Sequence, residues 1–401
     1  MTATRLRSDT RERYPPPERR GGAIGELPTA RLHVLVMAPR ENGWVTEVCP
    51  RQAPVGAQPG AGGVDRGPVW RWLLPVWGVV AAFVAVTLVR SHQVGIPLRD
   101  PHGAILRSRV ALSLGIFLFL VLLDVAVRAH RRGRRPWQVR DLLRHRWTSR
   151  RLLLALSGLL AYHLVYFCYH NLKSWDVLNR PRDQLLLDWD RWLFLGHSPA
   201  VLLHELLGTH LAAYVLMVVY ESFSTLVSVA VVAAVVFPER VRDGYVLIVA
   251  GIWIWILGTL SYYAIPSLGP FHGAPGEFTD LPHTMIQDTQ SRYMAQRAHF
   301  LANPQAPDAF AQVSAFASLH VGVLTVLWLS ARHYRLRWTF RVLTLDVVVT
   351  CVATVYLGWH FFVDDLAGLF IGALAVLLGI RMIRPGRARA QAAPALVGEA
   401  S

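Results

Sequence analysis

Eight apolar runs dominate the sequence after residue 68, each near the ~20 residues a helix needs to cross a bilayer. They cover 69–89, 109–127, 152–170, 211–237, 244–267, 315–331, 337–357 and 361–384. The chain is 53% hydrophobic and only 17% charged, which is more apolar than a water-soluble domain needs. The expected fold class is therefore all-α: a polytopic membrane protein of about eight transmembrane helices, multi-pass in the cell membrane.

The net charge is +15. In a soluble protein so basic a balance would suggest nucleic acid. Here the arginines sit in alternate connections: the segment before the first span, Arg131 to Arg146 after the second, Arg332 to Arg341 after the sixth, and the tail from Arg381. An even number of spans separates these regions, so they share one face, and the positive-inside rule makes that face cytoplasmic. No nucleic-acid partner is expected, and both termini are placed in the cytoplasm.

The organisation follows from this. Residues 1–68 form a cytoplasmic tail rich in Arg, Pro and Gly, expected to be disordered, with Met37 a possible alternative start. Two accessory transmembrane helices cover 69–127, a basic cytoplasmic loop 128–151, a six-helix membrane core 152–384, and a cytoplasmic tail 385–401. The leading segment does not read as a secretory signal, because its apolar piece is short and more polar chain follows. Cys49, Cys168 and Cys351 have neither disulfide nor metal spacing. The connection 171–210 includes an apolar and polar mixture at 184–207 that suggests an interfacial helix with Trp189 and Trp192 at headgroup level.

Ionisable groups at the mouths of apolar spans are functional candidates. His320 opens the sixth span; His360 and Asp364 lie between the seventh and eighth; the turn 265–270 closes the fifth. Span counting puts all three features at the extracytoplasmic surface. His360 and Asp364 are four apart and so share a helix face, whereas Asp365 is rotated away. A carboxylate that holds one ring nitrogen leaves the other free as a nucleophile or base; the same pair could instead serve as a helix cap or interfacial anchor. His320 alone also suits an interface residue. His163 and His170 are expected to pack or snorkel, and Glu221 in the fourth span either pairs with a neighbouring helix or lines a cavity.

Ser318-Leu319-His320, His360-x3-Asp364 with Gly368, and the stretch 262–270 together resemble the type-2 phosphatidic acid phosphatase superfamily, with most similarity to its inositolphosphotransferase and inositol phosphorylceramide synthase-like branch. The resemblance covers roughly 152–384. It implies a six-helix phosphatase-like core acting on a phosphorylated lipid. It also implies that His360 forms a phosphohistidine, that Asp364 orients it, and that His320 protonates the leaving alcohol and then activates water or an acceptor hydroxyl. No metal or other cofactor is implied.

The sequence departs from the family pattern at its cations. Lys and Arg are missing from 262–271, Ala317 replaces the usual Pro, and Ala353-Thr354 stand where Ser-Arg would precede His360. Phosphoryl transfer still needs positive charge around the equatorial oxygens. Candidate substrate-binding residues are Ser318, Arg180, Arg182, Arg191 and His272, with Lys173, Arg292 and Arg297 also on the correct face. The missing cations support a competing reading, a non-catalytic membrane transporter or scaffold that keeps the fold. Against it, all three members of the proposed catalytic set are present, and no midplane polar groups in repeated broken helices suggest transport.

Overall fold

The computed structural model describes residues 68–131 and 139–384, with the backbone of two short strands nearer the N-terminus. Those strands, β1 (Val36–Ala38) and β2 (Val45–Glu47), pair antiparallel with Met37 opposite Thr46. They lie within the 1–68 tail that was expected to be disordered, and correct that expectation for these residues. The rest of residues 1–67, residues 132–138 of the basic loop and the tail 385–401 lie outside the described residues.

From residue 68 onward the described chain is helical: α1 (Trp70–Val94), α2 (Arg107–Arg131), α3 (Val139–Arg146), α4 (Ser149–Asp176), α5 (Asp183–Leu193), α6 (Pro199–Leu207), α7 (Leu211–Val236), α8 (Val241–Ala264), α9 (Pro270–Gly273), α10 (Met285–Ala302), α11 (Leu319–His333), α12 (Arg337–Tyr356) and α13 (Phe362–Ile383). Seven of these, α1, α2, α4, α7, α8, α12 and α13, are long and apolar enough to cross a membrane. This is an all-α, multi-pass membrane protein. Leu118, Phe119, Val218, Leu345 and Phe370 are among the large apolar side chains left on its surface, where hydrocarbon replaces water as solvent.

The sixth expected span differs. α11 has 15 residues, about 22 Å of helix against a hydrocarbon core of about 30 Å. Residues 315–317 do not join it because their N–H groups are used elsewhere. Ala315 donates to the Ser267 carbonyl at 2.9 Å, Phe316 to Ser267 Oγ at 2.8 Å, and Ala317 to Ser261 Oγ at 3.0 Å. Ser314 Oγ donates to Asp176 at 2.9 Å, and Ala311 N–H to Ser174 Oγ at 3.0 Å. Irregular backbone at this depth survives because protein groups satisfy it. The third span runs further than expected, to Asp176, so Lys173 belongs to α4 rather than to the following loop.

α8 is the axis of the bundle and packs against α4, α7, α11 and α13. Glycines set the closest approaches. A Cβ at Gly368 would lie 2.4 Å from the Ser318 carbonyl oxygen, and one at Gly372 would lie 2.5 Å from that of Gly322. Small residues thus draw α11 and α13 together, as at other membrane helix interfaces. The α1–α2 connection is pinned to the core by Arg99, which donates to the carbonyls of Ala309 at 2.6 Å and Pro304 at 2.9 Å.

Arg128, Arg146, Arg151 and Arg384 cluster at one end. Arg146 and Arg151 donate to the carbonyls at 236–239 that finish α7, where the helix dipole is negative. Glu239 accepts from Arg128 at 2.6 Å and Arg146 at 2.7 Å. The Arg128 hydrogen bond and the nearby arginine charges hold its carboxyl below the usual range. Arg384 pairs with Asp243 at this end as well. His320, in the first turn of α11, and His360, just before α13, lie at the other end of those helices.

Candidate active site

α5, the short helix between α4 and α6, holds two of the site's segments with two carboxylates. Asp183 Oδ1 accepts the N–H groups of Leu268 at 2.7 Å and Gly269 at 3.0 Å. This fixes the turn that ends the fifth expected span. Two turns further along the same face, Asp190 accepts the N–H groups of Phe362 at 2.7 Å and Val363 at 3.0 Å. It thereby caps the start of α13, where unsatisfied amides favour an anion. Asp190 is 2% exposed, and burial pushes its carboxyl up to about 6 against the pull of those two amides.

The turn itself docks on the segment before His360. Gly269 has φ +108°, and a Cβ there would meet the Trp359 carbonyl oxygen at 2.6 Å, so only glycine fits. Phe271 N–H donates to the Gly358 carbonyl at 3.0 Å.

His360 Nδ1 lies 3.3 Å from Asp364 Oδ2, the contact that the four-residue spacing implied. The same carboxylate oxygen accepts Phe361 N–H at 3.0 Å. Asp364 is fully buried. Asp365 points elsewhere, as expected, and accepts from Thr354 Oγ1 at 2.8 Å. Burial holds His360 well below the ordinary imidazole range, and His320 and Lys173 push in the same direction. A proton on Nδ1 facing Asp364 leaves the Nε2 lone pair as the nucleophilic position.

His320 stands across from it, with ring centroids 6.1 Å apart. Two aromatic rings of α7 hold it: Tyr220 stacks at 4.2 Å and Phe223 lies at 4.3 Å. Both histidines line one cavity of about 280 Å³. Three cations line it too: Arg109 of α2, Lys173 of α4 and Arg292 of α10. Lys173 Nζ sits 5.4 Å from the Tyr262 ring centroid. Glu221 and His170 also face this space, so Glu221 takes the cavity-lining alternative, and His170 does more than pack.

The other predicted binding residues stand apart. Ser318 is fully buried, accepts Val321 N–H as the N-cap of α11, and is not among the cavity-lining residues. Arg180, Arg182, Arg191 and His272 do not line the cavity either. Arg180 and Arg182 are exposed. Arg191 pairs with Glu277 at 3.2 Å, and His272 with Asp183 at 3.3 Å. Arg297 is likewise absent from the lining. Sequence reading missed Arg109 altogether, because it lies in a helix assigned outside the core; its one signal was a lone arginine just inside an apolar span. Asp183 and Asp190 were also missed as organising groups. Among the described residues no group of three or more His, Cys, Asp or Glu is placed to hold a metal ion.

Fold and cavity together define a class: a multi-pass membrane protein whose cavity gathers two histidines and three cations, with a buried carboxylate behind one of the histidines. The family model described as PAP2 superfamily matches residues 184–378, which include His320, His360 and Asp364. No curated protein and no solved structure matches the chain.

Proposed function

We propose that this protein is an integral-membrane lipid phosphatase or phosphotransferase that works through a phosphohistidine on His360. The observation that carries the reading is the pairing of His360 with Asp364 in a cavity shared with His320 and three cations. Nε2 of His360 attacks phosphorus as the bond to the leaving alcohol breaks. His320, cationic while the anionic phosphate is bound beside it, gives that alcohol its proton and becomes neutral. Neutral His320 then takes a proton from water or an acceptor alcohol, whose oxygen attacks phosphorus and breaks the P–N bond, returning both histidines to their starting states. Arg109, Lys173 and Arg292 neutralise the equatorial oxygens. They supply the charge whose absence from the motifs favoured a non-catalytic scaffold.

The substrate is a phosphorylated lipid met at the extracytoplasmic face. The support is that the arginine-rich helix ends lie opposite the histidines, and such ends face the cytoplasm. Within the superfamily, the turn at 262–270 favours the inositolphosphotransferase-like branch. The test is phosphate release from lipid phosphates and diphosphates by purified protein, repeated with inositol and other alcohols as acceptors. Release or transfer that vanishes in His360→Ala supports the reading. Silence of the wild type with every donor and acceptor overturns it.

A further inference from the structure

The catalytic cavity continues into the bilayer side of the protein. Arg109, Tyr166, Phe223, Ser224 and Trp255 line both it and a chamber of about 60 Å³. Ser113 and His163 line that chamber and also a groove of about 400 Å³. The groove follows α4 from Leu153 to His163, with Trp77 of α1 and Val110 and Leu114 of α2 on its sides. Ten residues of helix make it about 15 Å long, near half the ~30 Å hydrocarbon core. It exists because α2 packs along α7 and barely touches α4.

The walls of the groove are apolar apart from a few groups that already have partners. Ser113 Oγ meets His163 Nε2 at 2.9 Å, His163 Nδ1 meets the Leu159 carbonyl at 2.7 Å, and Trp77 Nε1 donates to Ser157 Oγ at 3.0 Å. None of these groups needs a ligand. A hydrocarbon chain suits such a surface and a polar occupant does not. At the other end of the passage stand Arg109 and Lys173, which suit a phosphate. The whole passage is therefore apolar at one end and cationic at the other, the polarity of a single amphiphile.

We propose that the hydrocarbon chain of the phosphorylated substrate lies in the groove between α1, α2 and α4, with its phosphate under Arg109 beside the two histidines. The proposal rests on the phosphatase-type reading above and gives α1 and α2, which precede the family match, a share in the substrate site.

The first test compares butyl phosphate with hexadecyl phosphate on the full-length protein. The wild type should favour the long chain by about tenfold or more in kcat/KM, since each buried methylene adds to binding. Leu156→Trp and Leu114→Trp, which fill the groove from opposite walls, should each bring that ratio towards one. A ratio unchanged in both overturns the proposal. The second test needs no turnover: a hexadecyl phosphate analogue with a diazirine at the chain end, photolysed with the His360→Ala protein. Labels in 110–114 and 153–163, suppressed by hexadecyl phosphate but not by hexadecanol, support the groove. Labels elsewhere, or equal suppression by both competitors, overturn it. If the wild type turns over neither phosphate, the wider panel of donors and acceptors decides the phosphatase reading, and the labelling alone decides the groove.

Discussion

The main-chain N–H of Ser318 donates to the carbonyl oxygen of Asp364 at 3.0 Å. The start of α11 and the first turn of α13 are thus tied by backbone, two residues before His320 and four after His360. The distance between the two histidines is set by main chain rather than by flexible side chains, a form of preorganisation that phosphoryl transfer depends on. Gly368 permits the contact, because a side chain there would collide with the Ser318 carbonyl.

Gly368→Val should therefore force α11 and α13 apart. Overpacking of this kind costs about 1–3 kcal/mol, and the histidine spacing should widen with it. A lower Tm in detergent together with a fall in kcat is expected. An unchanged Tm would mean that the helices separate without cost, and that the close contact is unimportant.

Asp364→Asn keeps the shape of the pair but removes its charge and allows the wrong tautomer of His360. By analogy with other histidine–carboxylate pairs, kcat should fall by roughly 10³–10⁴ with little change in KM. Steady-state kinetics on any turned-over phosphate decides this. A loss below about tenfold would remove Asp364 from the orienting role.

The cavity cations should matter more than the exposed ones. Lys173→Met and Arg292→Gln are each expected to lower kcat/KM by about 10²–10³, the usual effect of losing one group that stabilises transition-state charge. Arg180→Gln and Arg182→Gln should change it by less than about threefold, as exposed charges contribute little. The reverse ranking would relocate the phosphate site to the α4–α5 connection.

Asp190 predicts a pH dependence of stability. Its carboxyl titrates at about 6 in the folded protein and near 4 when unfolded. The folded state thus holds a proton that the unfolded chain has released. Stability from this group is greatest below about pH 4, declines as pH rises to about 6, and is flat above, a change of up to about 3 kcal/mol. Asp190→Asn cannot ionise, so the Tm difference, wild type minus variant, should shrink through that window. A parallel pair of Tm curves from pH 4 to pH 7 would contradict this.

Much of the fold was legible because apolar runs of bilayer length leave few alternatives. Their positions predicted α1, α2, α4, α7, α8, α12 and α13 to within a few residues at most ends. α11 was misjudged because hydropathy registers apolar residues and not the bonds their amides make. Residues 315–317 are apolar enough for a helix, yet Ser261 and Ser267 take their N–H groups. In the candidate site, the sequence singled out His360 and Asp364 by their local spacing and His320 by its place at a span mouth; the structure puts His360 against Asp364 and both histidines on one cavity. Of the cavity cations, Lys173 and Arg292 were among the candidates on that face and Arg109 was not, since it comes from a helix distant in sequence.

The sequence by itself determined the class of fold and the local pair. Hydrophobic length dictates spans, and His360 reaches Asp364 from just before α13 rather than from within a helix, so both features are short-range. Only the tertiary structure decided which charges meet the histidines. Arg109, Lys173 and Arg292 come from α2, α4 and α10, and packing alone brings them to one cavity. The same packing turned Ser318 from a possible phosphate ligand into a buried helix cap, and gave Asp183 and Asp190 the task of holding the site's turns. No pattern in the chain encodes such meetings, because they depend on which helix faces which.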